Sequence, residues 1–362
     1  MGKAPPVYDH ARGDHYRVTR IDDDGVNDYY RRNPSLGNAF DQPAFLHTLA
    51  SSFGREVVHL GLEREGSLAA TASLLVQRIG FLGNAQSLPI RYTGLESADA
   101  RDIPSQILAL RKWLGSTKRR IGRVHYSFSP GVDFDPTKLQ AAGVSLKIAE
   151  TCVLDLANIS AESGVPLGAN RRMKERLRQT WRRGVVVRDA WPSDVVDALP
   201  RLLESTYTRN QGVSPYPPGF GRLLWERHGH DSAFVIRTAH MGDESNVVGM
   251  AIGIGHNRVM YSFIIARDNE HQDSQRLNVN GVLIADMARR AKEIGYRQYD
   301  LGGGTDGIIE FKTHMGAHKE TYANVTANHL AYSPAFFCWE ALKRSRGWRL
   351  PSRPSSRPPA NH

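Results

Sequence analysis

Apolar residues recur at two periods along this chain, and each change of period marks an element. Phe45, Leu49 and Phe53 stand four apart after Pro43 and before Gly54, as in a helix opened by proline and closed by glycine. Two strand-like runs, Glu56–Arg64 and Leu68–Val76, then flank the turn pair Glu65-Gly66. Ile103, Ile107, Leu110 and Leu114 define a helix that ends near Ile121-Gly122, and Arg123–Ser129 reads as the strand after it. A short strand at Tyr16–Arg20 and a helical stretch at Val26–Arg32 precede them all.

The same order returns downstream. Val185–Arg188 reads as a strand and Val195–Asn210 as a helix, and Pro218-Gly-Phe220 up to His228-Gly229 mirrors Pro43-Ala-Phe45 up to Phe53-Gly54. Strands Ala233–His240 and Val247–Gly255 flank a turn at Gly242-Asp243-Glu244, and a further strand covers Val259–Ala266. A helix over Val279–Ile294 leads into Ile294-Gly295-Tyr-Arg-Gln-Tyr299, which repeats Ile121-Gly122-Arg-Val-His-Tyr126 in residue type. One order of elements at nearly one spacing predicts a duplicated α/β (α+β) unit. The expected division is 15–165 and 166–340, with the seam at Asn158–Gly168 and disordered ends at 1–14 and 341–362.

Composition narrows the partners. A net charge of +10 over 362 residues favours phosphorylated cofactors, nucleic acid or acidic lipid head groups. Cys152 and Cys338 are the only cysteines, which excludes a disulfide framework or a cysteine-rich zinc site. With no HExxH spacing either, no metal is expected. The start lacks an apolar signal core and no apolar run is long enough to span a bilayer, so a cytoplasmic protein is expected, with peripheral membrane contact left open. Residues 169–184 form a strongly basic helix. Ala169, Met173, Leu177 and Trp181 make a narrow apolar stripe, and seven arginines and lysines cover the remainder, as either a solvated face or a phosphate-contacting one.

The densest chemistry lies in Tyr299–Ala317, where three consecutive glycines (302–304) stand among Asp300, Asp306, Lys312 and His314. Gly302-x-Gly304-x-x-Gly307 formally matches the dinucleotide fingerprint. That fingerprint must open a βαβ unit, and only a short chain end is expected here, so the dinucleotide reading is set aside.

The duplication, the basic helix with Asn170–Arg188, and Tyr299-Asp-Leu-Gly-Gly-Gly304 with Phe311-Lys312 and Gly316-Ala317 together resemble FemAB-type transferases of the GNAT acyltransferase superfamily. Relatives there include cellulose-biosynthesis-type acetyltransferases. The resemblance covers roughly residues 40–330. It implies two tandem GNAT-like domains, each a mixed, mainly antiparallel sheet flanked by helices, around a shared cleft. It also implies an acyl donor, acyl-CoA or aminoacyl-tRNA, and an amine acceptor on a cell-envelope glycan, sugar nucleotide or related metabolite. The coiled-coil arm of some peptidoglycan members is absent, which leaves a tRNA donor open. On this resemblance Asn278, Asn280, Gly281, Gly303, Gly304 and Phe311 face the donor, although the Arg/Gln-x-x-Gly-x-Gly/Ala loop of ordinary GNAT domains is missing. Lys312 would neutralise developing negative charge, Asp300 and Asp306 would bind the acceptor or take its proton, and Tyr207, Arg209, Asn210 and Tyr92 would contact the acceptor. Each has a plainer alternative: helix capping at 278–281, a turn cap at Asp300, a surface lysine at Lys312, a helix end at 207–210. The competing function is a non-catalytic RNA- or phosphate-binding protein that uses the basic helix.

Overall fold

Two successions of like elements make up the computed structural model, which describes residues 16–79, 82–85, 92, 94–116, 121–209, 212–270 and 277–328. The first runs β1 (Arg17–Ile21), α1 (Asp23–Arg32), α2 (Pro43–Phe53), β2 (Glu56–Arg64), β3 (Ser67–Ile79) and β4 (Leu82–Ala85). It continues with a short β5 (Leu95–Ser97), α3 (Ile103–Ser116), β6 (Ile121–Ser127), α4 (Thr137–Ala141) and β7 (Ser145–Asp155). The second runs α5 (Arg171–Arg182), β8 (Val185–Asp189), α6 (Leu199–Arg209), α7 (Phe220–His228), β9 (Phe234–Met241), β10 (Asp243–His256) and β11 (Val259–Arg267). It ends with α8 (Val279–Glu293), β12 (Gln298–Gly302), α9 (Asp306–His314) and β13 (His318–Asn328).

Local chemistry sets the boundaries. Pro43 occupies the first turn of α2 and Gly54 ends it in the left-handed region at φ 61°. Glu65 and Gly66 both have positive φ, 51° and 79°, which gives the tight turn that matches the twist of β2 and β3. The helical pattern over Val195–Asn210 is realised as a π-helical turn at Asp194–Ala198 that runs into α6.

A single sheet runs through both successions in the order β1-β2-β3-β4-β6-β13-β7-β12-β11-β10-β9-β8, with β5 on β3. Its centre is an exchange. β13 pairs with β6, while β7 pairs with β12, and the two strands pair with each other from His318↔Val153 to Thr326↔Ser145. The last strand of each half thus completes the sheet of the other. This corrects the expectation that only a short chain end follows residue 314. β13 is an 11-residue strand whose inward positions, Ala323, Val325 and Ala327, are buried in the first half's core. Alternation that thin, between charged and polar neighbours, gives a weak strand pattern because the burying partner comes from elsewhere in the chain.

Three cores result. One surrounds α3 in the first half and one surrounds α8 in the second. The third lies between the halves, where Phe40, Phe45, Leu49, Phe220, Leu224 and Ile264 are all buried. There α2 crosses α7, the two helices matched in sequence, and Thr48 Oγ1 lies 2.8 Å from His228 Nε2.

Candidate active site

The sheet opens at one place in the second half. β11 and β12 run parallel through Val259↔Gln298, Met260↔Tyr299 and Tyr261↔Asp300, and there their pairing stops. β11 continues to Arg267 with β10 on its other edge, so residues 262–267 have no partner strand on the β12 side among the described residues. A bulge accompanies the split: Ile252 opposes Ile264 but Gly253 opposes Ser262, which leaves Phe263 as the extra residue.

The start of α8 lies beside the far end of this opening. Gly249 faces Arg267 across the ladder, and a Cβ on Gly249 would fall 2.6 Å from Val279 Cγ1. Asn278 caps α8, its Oδ1 accepting from Gly281 N at 3.2 Å, and its own N–H donates to Thr180 Oγ1 of α5 at 3.0 Å. Asn280 Oδ1 is buried without a hydrogen-bond partner, an acceptor left for an incoming donor group. The capping reading of Asn278 therefore holds in the structure, and Asn280 is the residue beside it with bonding capacity to spare.

Three guanidiniums gather here. Burial holds Arg267 below the usual arginine range, and Arg209 and Arg176 beside it add repulsion. Arg267 Nε and Arg209 Nη1 both donate to Asn269 Oδ1, at 2.8 and 3.2 Å. Arg209 was expected on the acceptor side. The structure places it with Arg267 instead, because the end of α6 is bonded to the end of β11: Arg267 N donates to Thr206 Oγ1 and Asn269 N to Ser205 Oγ. Arg176 arrives on the basic helix α5, whose Met173, Leu177 and Thr180 are buried. Cations converging beside a helix N-terminus suit a polyanion such as a diphosphate.

The glycine loop after β12 is held from below by Lys312. That side chain is 7% exposed, and its Nζ donates to the carbonyls of Leu301, Gly302 and Gly303 at 2.7, 2.8 and 2.7 Å. An ammonium has three N–H groups, so all are engaged. Lys312, expected to neutralise charge on the reacting groups, here organises the loop and is not the surface lysine of the plainer alternative. In a trans peptide the N–H points away from its carbonyl. Turning the Gly302 and Gly303 carbonyls toward Lys312 therefore turns the N–H groups of Gly303 and Gly304 the opposite way. Gly303 must be glycine, since a Cβ there would meet Glu150 O of β7 at 2.4 Å.

Asp300 is buried, and its Oδ1 accepts from Thr151 Oγ1 at 2.6 Å and from Gly302 N at 2.7 Å. This is the turn-anchoring alternative rather than an open carboxylate. Asp306 is exposed in the first turn of α9, where a negative charge favours the helix dipole. Phe311 is half-buried against the α8 core, and His314 is exposed.

Across the split lies the junction of the halves. Tyr92 of the first half is buried in the left-handed region at φ 57°, with its ring 6.0 Å from Tyr261 and 5.1 Å from Tyr322 of β13. Beside these rings is a carboxyl pair that the sequence did not reveal. Asp41 is 1% exposed and accepts from Gly94 N and Asn38 Nδ2, while Glu96 accepts from Gly37 N at 3.1 Å and Asn38 Nδ2 at 3.3 Å. Burial first, then the neighbouring Glu96 carboxylate, raise Asp41 well above the usual carboxylate range. Burial raises Glu96 as well. Both carboxyls act on the Tyr261 phenol, together with Asp300. These acids stand far apart in sequence, and only the folded chain brings them together. Tyr207 is half-buried and packs on Tyr216 at 6.5 Å, within the aromatic core between the halves. Asn210 lies outside the described residues.

Comparison with known proteins places this geometry. Residues 169–313 match a family described as the acetyltransferase (GNAT) domain. FemX superposes with a TM-score of 0.61 at 12% identity, covering 85% of this chain and 96% of that one. A tandem GNAT protein from the clavulanic acid biosynthesis pathway gives 0.51 at 12% identity, covering 86% and 98%. A GCN5-related glucosamine N-acetyltransferase region of a fungal multi-domain β-N-acetylglucosaminidase gives 0.50 at 12% identity, covering 90% of this chain and 40% of that one. No curated protein matches. No helix among the described residues is long and apolar enough to cross a membrane.

Proposed function

From the match of residues 169–313 to the acetyltransferase (GNAT) domain and the FemX-like fold, we propose that this chain transfers an activated acyl group to an amine. The donor is acyl-CoA or aminoacyl-tRNA, and the acceptor is an amine of a cell-envelope glycan, a sugar nucleotide or a related metabolite. The observation that carries this reading is the β11/β12 split, with the Arg176–Arg209–Arg267 cluster and the α8 N-terminus at one end and the Gly303–Gly304 loop at the other. Both donor classes carry phosphate at one end and a reactive carbonyl at the other. The guanidiniums hold the phosphates, which leads the acyl group along the unpaired backbone of residues 262–267 toward the loop.

At the loop, the Gly304 N–H group is a donor for the oxyanion that forms when the amine attacks the carbonyl. The new C–N bond leaves a proton on nitrogen, which must pass to a base or to water. Collapse of the intermediate then breaks the bond to the thiol or the tRNA hydroxyl.

The test is a panel. Purified protein is incubated with acyl-CoAs, charged tRNAs and amino-sugar acceptors, and acceptor-dependent donor consumption is followed by mass spectrometry. Consumption of one donor class is the expected result, and ribonuclease sensitivity assigns it to aminoacyl-tRNA. Absence of acceptor-dependent consumption across the panel, with tight and salt-sensitive RNA binding, would favour the RNA-binding alternative instead. The inclusion of Arg176 in the cluster at the split speaks for a donor-binding use of the basic helix.

A further inference from the structure

We propose that the first half binds one divalent transition-metal ion, of the kind zinc represents, through Asp23, His47 and His59. The three residues come from separate elements, α1, α2 and β2, and one ligand atom from each lies within 4.8 Å of the others. His47 Nε2 stands 3.1 and 3.0 Å from the two Asp23 oxygens, and His59 Nε2 stands 3.2 Å from Asp23 Oδ1. Ligands at about 2.0–2.1 Å around a tetrahedral ion are themselves roughly 3.3 Å apart, so the cluster needs only a small adjustment to receive one.

The decisive atom is His59 Nε2. Its imidazole is 6% exposed, its Nδ1 lies 2.8 Å from Ser73 Oγ, and its buried Nε2 has no hydrogen-bond partner despite facing the Asp23 carboxylate. In the tautomer that donates Nδ1–H to Ser73 Oγ, the Nε2 lone pair points at a carboxylate, and a shared cation removes that repulsion. The cluster lines a cavity of about 540 Å³ that Asp22 and Asp24 also border, while Arg20 on the same wall is paired with Glu56 at 3.7 Å. His47 and Asp23 are half-exposed, so an ion has a path in and water completes its coordination. Two imidazoles and one carboxylate suit zinc and its first-row neighbours better than magnesium or calcium. The expectation of no metal rested on the missing HExxH and cysteine motifs, and a site assembled from three elements escapes both.

The test uses the full chain, stripped with chelator and titrated with ZnCl₂ by calorimetry, and with CoCl₂ by visible absorption. One ion per chain is expected, with intense Co²⁺ bands and a Tm that rises with zinc. His47→Ala and Asp23→Asn should each weaken binding at least tenfold and abolish the Tm response, whereas His318→Ala, at an exposed histidine on β13, should leave both unchanged. Circular dichroism confirms that the variants fold. Absence of saturable binding, or equal affinity in the wild type and both ligand variants, overturns the proposal.

Discussion

Lys312 shows how far one side chain can shape a loop. It is a cation buried among three carbonyls of its own chain, and its removal leaves those acceptors unsatisfied. Lys312→Ala is expected to cost about 3 kcal/mol in stability by urea unfolding, on the scale of hydrogen bonds to charged groups, and to lower kcat by at least tenfold. Lys312→Arg should rescue poorly, because a planar fork cannot meet three converging carbonyls. Asp41 gives a pH signature. Its folded-state pKa is raised by burial and by Glu96, above the unfolded value near about 4. The folded chain therefore holds a proton that the unfolded chain has released, and this contribution is complete below about pH 4 and lost as pH rises through the folded value. Stability measured by chemical unfolding is expected to fall with rising pH over that window, and Asp41→Asn should flatten the decline.

Among elements, Arg176 in the middle of α5 acts on the ends of α6 and β11 although the chain visits them separately. Arg176→Ala, Arg209→Ala and Arg267→Ala are each expected to raise the KM for the donor about tenfold, with a smaller change in kcat, since phosphate contacts are equal in ground and transition states. Steady-state kinetics at two ionic strengths checks this, because loss of a phosphate contact also weakens the salt dependence. The tertiary packing of α6 on β11 sets Arg209 beside Arg267, at the end of the split that the proposed function gives to the donor. The helix pattern that identified α6 could not say which strand its end would meet.

For the whole molecule, the exchanged strands β7 and β13 predict cooperativity. Each half lacks a central strand without the other, so a single calorimetric transition is expected rather than two. Val325 is fully buried in the first half's core although it lies in the last described strand. Val325→Asp buries an unpaired charge and is expected to cost about 3–5 kcal/mol, lowering the single transition as a whole. Two resolved transitions, with only one of them shifted, would show that the halves unfold independently.

The amino-acid sequence by itself determined the elements whose signals are local: the proline-to-glycine helices α2 and α7, the tight turn at Glu65-Gly66, the apolar faces of α3 and α8, and hence the duplication. It also marked the glycine loop, because dense glycine beside ionisable residues is a composition signal. Only the tertiary structure decided where strands 145–155 and 318–328 go, since their burial depends on partners far away in the chain. It decided, too, that Lys312 faces its own loop, that Asp41 meets Glu96, and that Asp23, His47 and His59 converge. The physical reason is common to all of these. Periodicity and capping act over a few residues and leave a trace in the sequence, whereas a buried charge or a ligand cluster depends on desolvation and on distances that exist only after the sheet has closed.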